Sequence, residues 1–511
     1  MIHMKKAILK FLKYSGILLV LAILFVVFLF LYPTAAPLAQ KSNTDNYIIS
    51  NVHIIDAVHD SILMNKSIEI NNNRIVRIFP ADSVFKSTNK VIDGKGMYAM
   101  SGLWNMHSHL GLPIAPQTVM PLQLANGITN LRDMQGVVRI NKERALWQQQ
   151  INEKKLLGPR IIGFANFQIG SSYDTKDVVK VVNKTAEDKS RFIKIYSNVL
   201  KDRYFKLAKE AKKKNVPFAG HYPLSIAPID ASNAGQRSFE HAHLFIDASH
   251  PRADKQRKYA ELRILEQERD GTLFTSYEDI LATFDINKFN ELADVMVKNN
   301  TYFCPTHVTK QYEASINNTA FLNNENIKYI PSMLKTIWDG DIEGMKKRNI
   351  TTSINYYKKG LELTGLAHKR GVKILAGTDT NDPYSFPGFT IHTELEQLVK
   401  AGLTPGEAIA TATINPSEYF HLSKDYGTIE TGKIADILLL KNNPLTDIKN
   451  TKNIQSIFYN GNIYSRAELD EFQDYVEDNV SGISGLSLTV KMFFSLMKGN
   501  NPEARNAIEE Q

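Results

Sequence analysis

The chain has 511 residues, 43% hydrophobic and 22% charged, with a formal net charge of +8. That length holds one large barrel with attachments or about three average domains, and the composition is globular. A single cysteine, Cys304, excludes a disulfide framework, a cysteine-rich metal site and a lipidated N-terminal anchor.

Lys5, Lys6, Lys10 and Lys13 carry half of the net charge before any acid occurs. The rest is spread without a basic stripe or aromatic-basic interleaving, so no nucleic-acid partner is expected. After the lysines, Tyr14 to Tyr32 is free of charge, long enough as a helix to cross about 30 Å of hydrocarbon. Lysines on its N-terminal side only would leave the N-terminus in the cytoplasm and translocate the bulk of the chain. The rival is a cleaved signal, with "PTAAPLAQ" offering small residues at a cleavage site. Residues 1–40 are therefore expected to be a single-pass inner-membrane anchor with the catalytic part in the periplasm, or a signal segment that releases it there.

Residues 46–100 read as short strands, with Asn71-Asn72-Asn73 as a hairpin turn. Residues 424–466 repeat that character, so the two flanks are expected to build one small β-sandwich. Between them, 101–423 alternates strand-like and helix-like segments. Eight β-prone runs occur: "GLWNMH", "GITNLRDM", "RIIGFAN", "FIKIYS", "PFAGHYP", "RSFEHAH", "YFCPTHV" and "KILAGTDT". Helical stretches such as Asp202 to Asn215 lie between most of them. Eight such units close a (β/α)8 TIM barrel, whose site lies at the C-terminal ends of the strands. The fold class is thus α/β. Asp247 to Asn300 reads as a charged lid or surface insertion. Residues 467–511 read as a helical tail, acidic at first and then "LSLTVKMFFSLMK", an amphipathic helix for the body or a partner, with contact to a membrane surface as the alternative.

The polar residues at the strand ends carry the chemistry. The first run supplies His107 and His109, the fourth Lys194, the fifth His221, the sixth His241 and the eighth Asp379. Residues i and i+2 of a strand point the same way, so His107 and His109 can both face the barrel mouth. Neutral imidazoles with a carboxylate suit a borderline divalent metal, and zinc is the expected ion. A lysine among them would repel a cation. That conflict resolves if CO2 carbamylates Lys194, giving an anionic group able to bridge two metals. His243 rivals His241, two residues away on the same face. Tyr196, His307 and His392 are candidate substrate contacts. Asp133 reads as structural and Cys304 as a buried apolar residue.

These features together resemble the amidohydrolase superfamily, in the group that includes imidazolonepropionase and Xaa-Pro dipeptidases. The resemblance spans nearly all of Asn46 to Arg466. It rests on "SGLWNMHSHL", "ITNLRDM", "FIKIYS", "AGHYP", "SFEHAH", "AGTDT", "PGFTIHTELEQLVKAGLTPGEAIATATINPSEYF" and "GTIETGKIADILLL". It implies His107 and His109 on one metal, Lys194 as the carboxylated bridge, and His221 and His241 on a second. Asp379 would bind the first metal and handle protons. Imidazolonepropionase is mononuclear and lacks the bridging lysine, so Lys194 favours the binuclear, dipeptidase-like branch. "AGHYP" departs from the second histidine more usual in the dipeptidases.

The expected function is metal-dependent hydrolysis of an amide C–N bond in a small molecule, with dipeptides of Xaa-Pro type or N-acyl amino acids leading. Lactones, cyclic amides or phosphotriesters on the same site are the alternative. A non-catalytic binding module would have lost a ligand, and all six are present. Self-association is left open.

Overall fold

The computed structural model describes residues 2–42, 46–83, 88–267 and 271–499. The last part of the expected tail, 500–511, lies outside the described residues. Two seven-stranded sheets organise the rest.

The first sheet has the spatial order Asn462–Ser465, Ile454–Tyr459, Ile437–Leu440, Lys90–Ser101, Tyr47–Asp56, Ser61–Asn71, Arg74–Pro80. Its neighbours are antiparallel except Tyr47–Asp56 with Lys90–Ser101. The two flanks of the chain meet where Leu438 pairs with Met100 and Leu439 with Ala99. Side chains alternate across a strand. Leu438 and Leu440 therefore join Leu103 and Ile128 in the barrel core, while Ile437 and Leu439 join Ile49 and Val52 in a separate core. The hairpin between Ser61–Asn71 and Arg74–Pro80 turns on Asn72 and Asn73, with φ of 49° and 64°. Two-residue hairpin turns need left-handed residues, and asparagine tolerates that region better than most.

The second sheet is parallel and follows chain order: Leu103–Ser108, Ile128–Asp133, Arg160–Ile169, Arg191–Ile195, Phe218–His221, Ser238–Glu240, Tyr302–Cys304. Helices return between the strands. Lys201–Lys214 is representative: it buries Tyr204, Leu207, Ala208 and Ala211 at helical spacing and ends on left-handed Asn215.

The eighth expected strand is not a regular strand. Its chain fills the gap between the last and first strands by isolated backbone bonds. Phe303 N–H donates to Lys373 O at 2.9 Å, Leu375 N–H to Phe303 O at 2.8 Å, and Met106 N–H to Ala376 O at 2.9 Å. The ladder cannot continue because Gly377 presses on the first strand. A Cβ there would lie 2.8 Å from His107 N and 2.5 Å from Cys304 Sγ.

The expected insertion also divides. Its end, Ile286–Lys298, buries Phe289, Leu292, Ala293 and Met296 and is the return helix of the sixth unit. A second excursion, not anticipated from sequence, follows the seventh strand. It carries helices His307–Ala314 and Ser332–Met345 and an aromatic cluster of Tyr312, Trp338, Tyr384 and Phe386.

The N-terminal helix runs Ile2–Leu31, and Ile8–Leu31 is long and apolar enough to cross a membrane. The boundary expected at residue 40 falls too late. Leu38 O accepts from Leu157 N–H at 2.7 Å. Gln40 is buried, and its amide donates to Ile151 O at 2.9 Å and Leu156 O at 2.8 Å and accepts from Asn460 at 2.9 Å. Lys41 Nζ reaches Ile463 O at 2.7 Å. Residues 38–41 thus belong to the folded body. A chain beginning at Thr34 should lose only the contacts of Phe30 and Tyr32 with the C-terminal helix and stay within about 1 kcal/mol of the full-length protein in urea. One beginning at Ser42 should be less stable by about 2–4 kcal/mol, since several buried partners lose their hydrogen bonds. Equal stability of the two truncations would refute this boundary.

Candidate metal centre

The six candidate ligands converge at one end of the barrel. His107 closes the first strand and His109 follows it, with ring centroids 5.2 Å apart. Asp379 is drawn in by its backbone, whose N–H donates to His107 O at 2.8 Å. Its Oδ1 lies 3.1 Å from His107 Nε2 and 3.2 Å from His109 Nε2, and its Oδ2 lies 3.5 Å from His241 Nδ1. His241 follows the sixth strand, and its ring packs 4.4 Å from that of His221 at the end of the fifth. Lys194, in the fourth strand, places Nζ 3.4 Å from His107 Nε2. His241 and Asp379 both hold positive φ, 76° and 54°. Such conformations are uncommon for residues other than glycine and gather at functional sites.

Behind the cluster runs a buried charged line. Glu240 Oε2 accepts from His107 Nδ1 at 2.9 Å, and Glu240 Oε1 accepts from Arg132 at 2.8 Å. Burial alone would raise the Glu240 carboxyl, but the Arg132 guanidinium and His107 bring it down to about 2. The carboxylate can only accept, so His107 carries its proton on Nδ1. The ring turns its Nε2 toward Asp379 Oδ1 at 3.1 Å, a pair of ligand-type atoms that a cation would satisfy, and Lys194 Nζ lies 3.4 Å from the same Nε2.

The remaining groups show the same need. His221 Nδ1, His241 Nε2 and Asp379 Oδ1 are buried without a hydrogen-bond partner among the described residues. Each such group costs about 1–3 kcal/mol. Burial pushes His221 and His241 well below the usual histidine range and His109 down to about 4. These rings are therefore held neutral, the state in which imidazole ligates a metal. Burial opposes the charge of Asp379; charge on His107 and His109 would lower its carboxyl well below the usual range, and with those rings neutral a bound cation would have to supply that positive charge. The donor set His107, His241 and Asp379 lies within 4.8 Å. These residues fit a divalent cation.

Lys194 is buried, and its ammonium is disfavoured by that burial, so its pKa is lowered. Tyr196 is 38% exposed, with its ring 4.8 Å from that of His221, at the edge of the site. A cavity of about 590 Å³ opens here, with His221, His243, Asp247, Tyr277, Lys310 and Arg348 in its wall. His243 thus faces the cavity, while His241 belongs to the donor group with His107 and Asp379.

Two candidates are corrected. His307 is buried, with Nε2 2.9 Å from Thr364 Oγ1, so it braces the helix Ile350–Lys369. His392 is held at both ring nitrogens, Nδ1 by Thr451 Oγ1 at 3.0 Å and Nε2 by Asn126 O at 3.1 Å. His392 thus has no ring nitrogen left for a substrate, while His307 keeps Nδ1 unpartnered but buried away from solvent. Asp133 is structural as expected, accepting from Arg144 at 2.8 Å and from Leu110 N–H at 3.2 Å.

Sequence reasoning missed Glu240 and Asp382. Glu240 directly precedes His241, and the left-handed turn at His241 brings both side chains to His107, Glu240 to its Nδ1 and His241 to its ring at 5.1 Å. Asp382 forms a possible donor group with His109 and Asp379. Burial and the Asp379 carboxylate raise Asp382 well above the usual range.

Removing the Glu240 charge should leave Arg132 buried and unpaired. Glu240→Gln is expected to cost about 3–5 kcal/mol of stability and to weaken metal binding roughly 10–100-fold. A carboxyl at about 2 in the fold against 4.5 in the unfolded chain stabilises fully above pH 4.5. That contribution is lost as pH falls toward 2. Urea titrations of both proteins across that window should show a shallower acid slope for Glu240→Gln; parallel slopes would refute the assignment.

The model of the Amidohydrolase family matches residues 98–464. Among curated proteins, the adenine deaminase of Desulforamulus reducens is 30% identical over 89 residues, covering 17% of this chain and 15% of that protein. The match therefore spans a small part of that relative's length. Among solved structures, a Xaa-Pro dipeptidase with methionine bound in its active site is 21% identical, with a TM-score of 0.58. It covers 82% of this chain and 100% of its own. Bottromycin amidohydrolase is 16% identical with a TM-score of 0.64, covering 86% and 92%. Molinate hydrolase is 14% identical with a TM-score of 0.58, covering 84% and 96%. At these identities the structural likeness is one of fold. The family match covers the barrel, every candidate ligand and the junction with the first sheet, and on it the chain belongs to the Amidohydrolase family.

Proposed function

We propose that this protein is a membrane-anchored hydrolase with two divalent metal ions, zinc being the favoured metal. It cleaves a C–N bond in dipeptides of Xaa-Pro type or in N-acyl amino acids. The observation that carries the reading is the set of buried, unpartnered atoms on His221, His241 and Asp379, with His107 Nε2 3.1 Å from Asp379 Oδ1, beside a cavity of about 590 Å³. His107 and His109 would hold one ion and His221 and His241 the other, with Asp379 on the first. Bound there, the ions would polarise the scissile carbonyl and make water nucleophilic near neutral pH.

Lys194 supplies the link between the two ligand groups. Burial favours its neutral amine, which is the form that attacks CO2. The Nζ lone pair forms the N–C bond as one C–O π bond of CO2 opens onto oxygen, one proton leaves to solvent, and the carbamate presents two oxygens that share one negative charge. Asp379 takes the proton of the attacking water and returns it to the leaving nitrogen. Both substrate classes end in a carboxylate. Arg348 lines the cavity and makes no ion pair among the described residues, whereas Lys310 is tied to Glu313 at 2.6 Å. Arg348 is thus the group available to bind that carboxylate. The lysines before Ile8–Leu31 would place the cavity on the periplasmic side of the inner membrane.

The full-length protein in detergent, loaded with zinc, should contain about two ions per chain by elemental analysis and hydrolyse dipeptides or N-acyl amino acids in preference to lactones. Lys194→Ala should lose metal and activity while keeping its circular dichroism, with partial rescue by acetate or propionate. One ion per active chain, or full activity in Lys194→Ala, would sink the bridged centre. Arg348→Ala should raise KM roughly tenfold with kcat little changed. An unchanged KM would remove Arg348 from substrate binding.

A further inference from the structure

The C-terminal helix Gly482–Gly499 leaves apolar side chains in solvent while Leu488 and Met492 on its opposite side are buried. Leu488 and Met492 are 3% and 1% exposed and join Ile114, Leu122, Tyr329 and Val476 in one cluster. Ile483, Leu486, Phe493 and Phe494 are 50%, 42%, 51% and 39% exposed. Half-buried Val490 completes their stripe along one helical face. An apolar face of this kind is unusual in water unless something covers it.

The position of the helix says what covers it. Phe494 packs edge-on against Phe30 at 5.4 Å, and Phe30 lies in the last turn of the apolar helix that ends at Leu31. Lys491 Nζ and Ser487 Oγ both donate to Tyr32 O, at 2.7 Å and 3.1 Å. If Ile8–Leu31 crosses a bilayer, the boundary of the hydrocarbon lies within about one helical turn of Phe494. The helix also packs against Ser332–Met345. There Trp338 Nε1 donates to Asn381 O at 3.2 Å, two residues beyond Asp379. One helix therefore touches both the end of the apolar span and the cap over the ligand cluster.

We infer that Gly482–Gly499 is a second membrane-contacting element. It lies in the interface with Ile483, Leu486, Phe493 and Phe494 toward lipid, and it holds the ligand-cluster end of the barrel at the membrane surface. Helices of this kind sink about 5–10 Å into the headgroup and acyl boundary. The inference rests on the anchor reading given above, and the bilayer that Ile8–Leu31 crosses is the occupant of the exposed face.

The test uses the full chain reconstituted in vesicles of phosphatidylcholine and phosphatidylglycerol. An environment-sensitive fluorophore is placed at Phe493→Cys, at Phe25→Cys within the span, or at Val58→Cys, which is 57% exposed on the first sheet. Cys304 is buried and stays unlabelled. Lipids carrying a nitroxide high on the acyl chain then serve as quencher. The labels at 493 and 25 should be blue-shifted and lose most of their emission, while the label at 58 keeps its emission. Quenching at 25 with a water-like, unquenched label at 493 would overturn the interfacial helix and leave the span intact. An unquenched 493 with disulfide-linked dimers of Phe493→Cys would assign the face to a second copy and overturn the lipid contact. An unquenched label at 25 would overturn the anchor and this inference together.

Discussion

The buried pairing of Arg132 with Glu240 is the interaction on which the site depends. Arg132 rises from the second strand and Glu240 from the sixth, so their bond spans the barrel interior. The guanidinium also donates to Met106 O at 2.6 Å and to Ser238 Oγ at 2.9 Å. Three strands are thus tied to one charge. The outcome is felt at His107, whose tautomer is set by an ionised carboxylate at its back. A ring locked in this way has one direction left for its free lone pair, which is the centre of the cluster. This is the logic of an outer carboxylate orienting a metal-binding histidine. It explains why two costly buried charges are tolerated where a hydrophobic pair would pack as well.

Backbone geometry does the rest. His241, Thr306 and Asp379 all sit just past strand ends with left-handed φ. Each turn tips a side chain across the barrel mouth instead of letting it follow the strand outward. His241 N–H is held by Cys304 O at 2.8 Å, and its Nδ1 lies 3.0 Å from Thr306 Oγ1, so two strained positions support each other. The irregularity of the eighth run belongs to the same pattern. A regular strand there would carry Asp379 past the first strand, whereas the tight approach at Gly377 lays it over His107.

The architecture was legible where chemistry and periodicity coincide. Alternation placed His107 and His109 on one face, and the count of β-prone runs located all six strand-end residues. The Asn72–Asn73 hairpin followed from asparagine's tolerance of positive φ. Other features depend on tertiary partners that no local pattern encodes. His307 and His392 sit at helix starts that a sequence marks well, yet only Thr364, Thr451 and Asn126 decide that their rings face inward. Glu240 escaped notice because its partners lie 133 and 108 residues away. The excursion after the seventh strand leaves no local mark, because its aromatic residues are scattered until Tyr384 and Phe386 fold back onto Tyr312 and Trp338.

The extended segment between the apolar helix and the first sheet bears on the timing of maturation. Ala36 O accepts from Tyr475 Oη at 2.7 Å, and Leu38 and Gln40 are fastened to the barrel. This is the stretch that offers small residues to a processing peptidase. Such an enzyme needs a free, extended backbone in its own cleft, and here that backbone is already spoken for by the folded body. Were this segment a processing site, a cut would have to come before the helix Arg466–Val480 docks, since the folded body then shelters the same backbone.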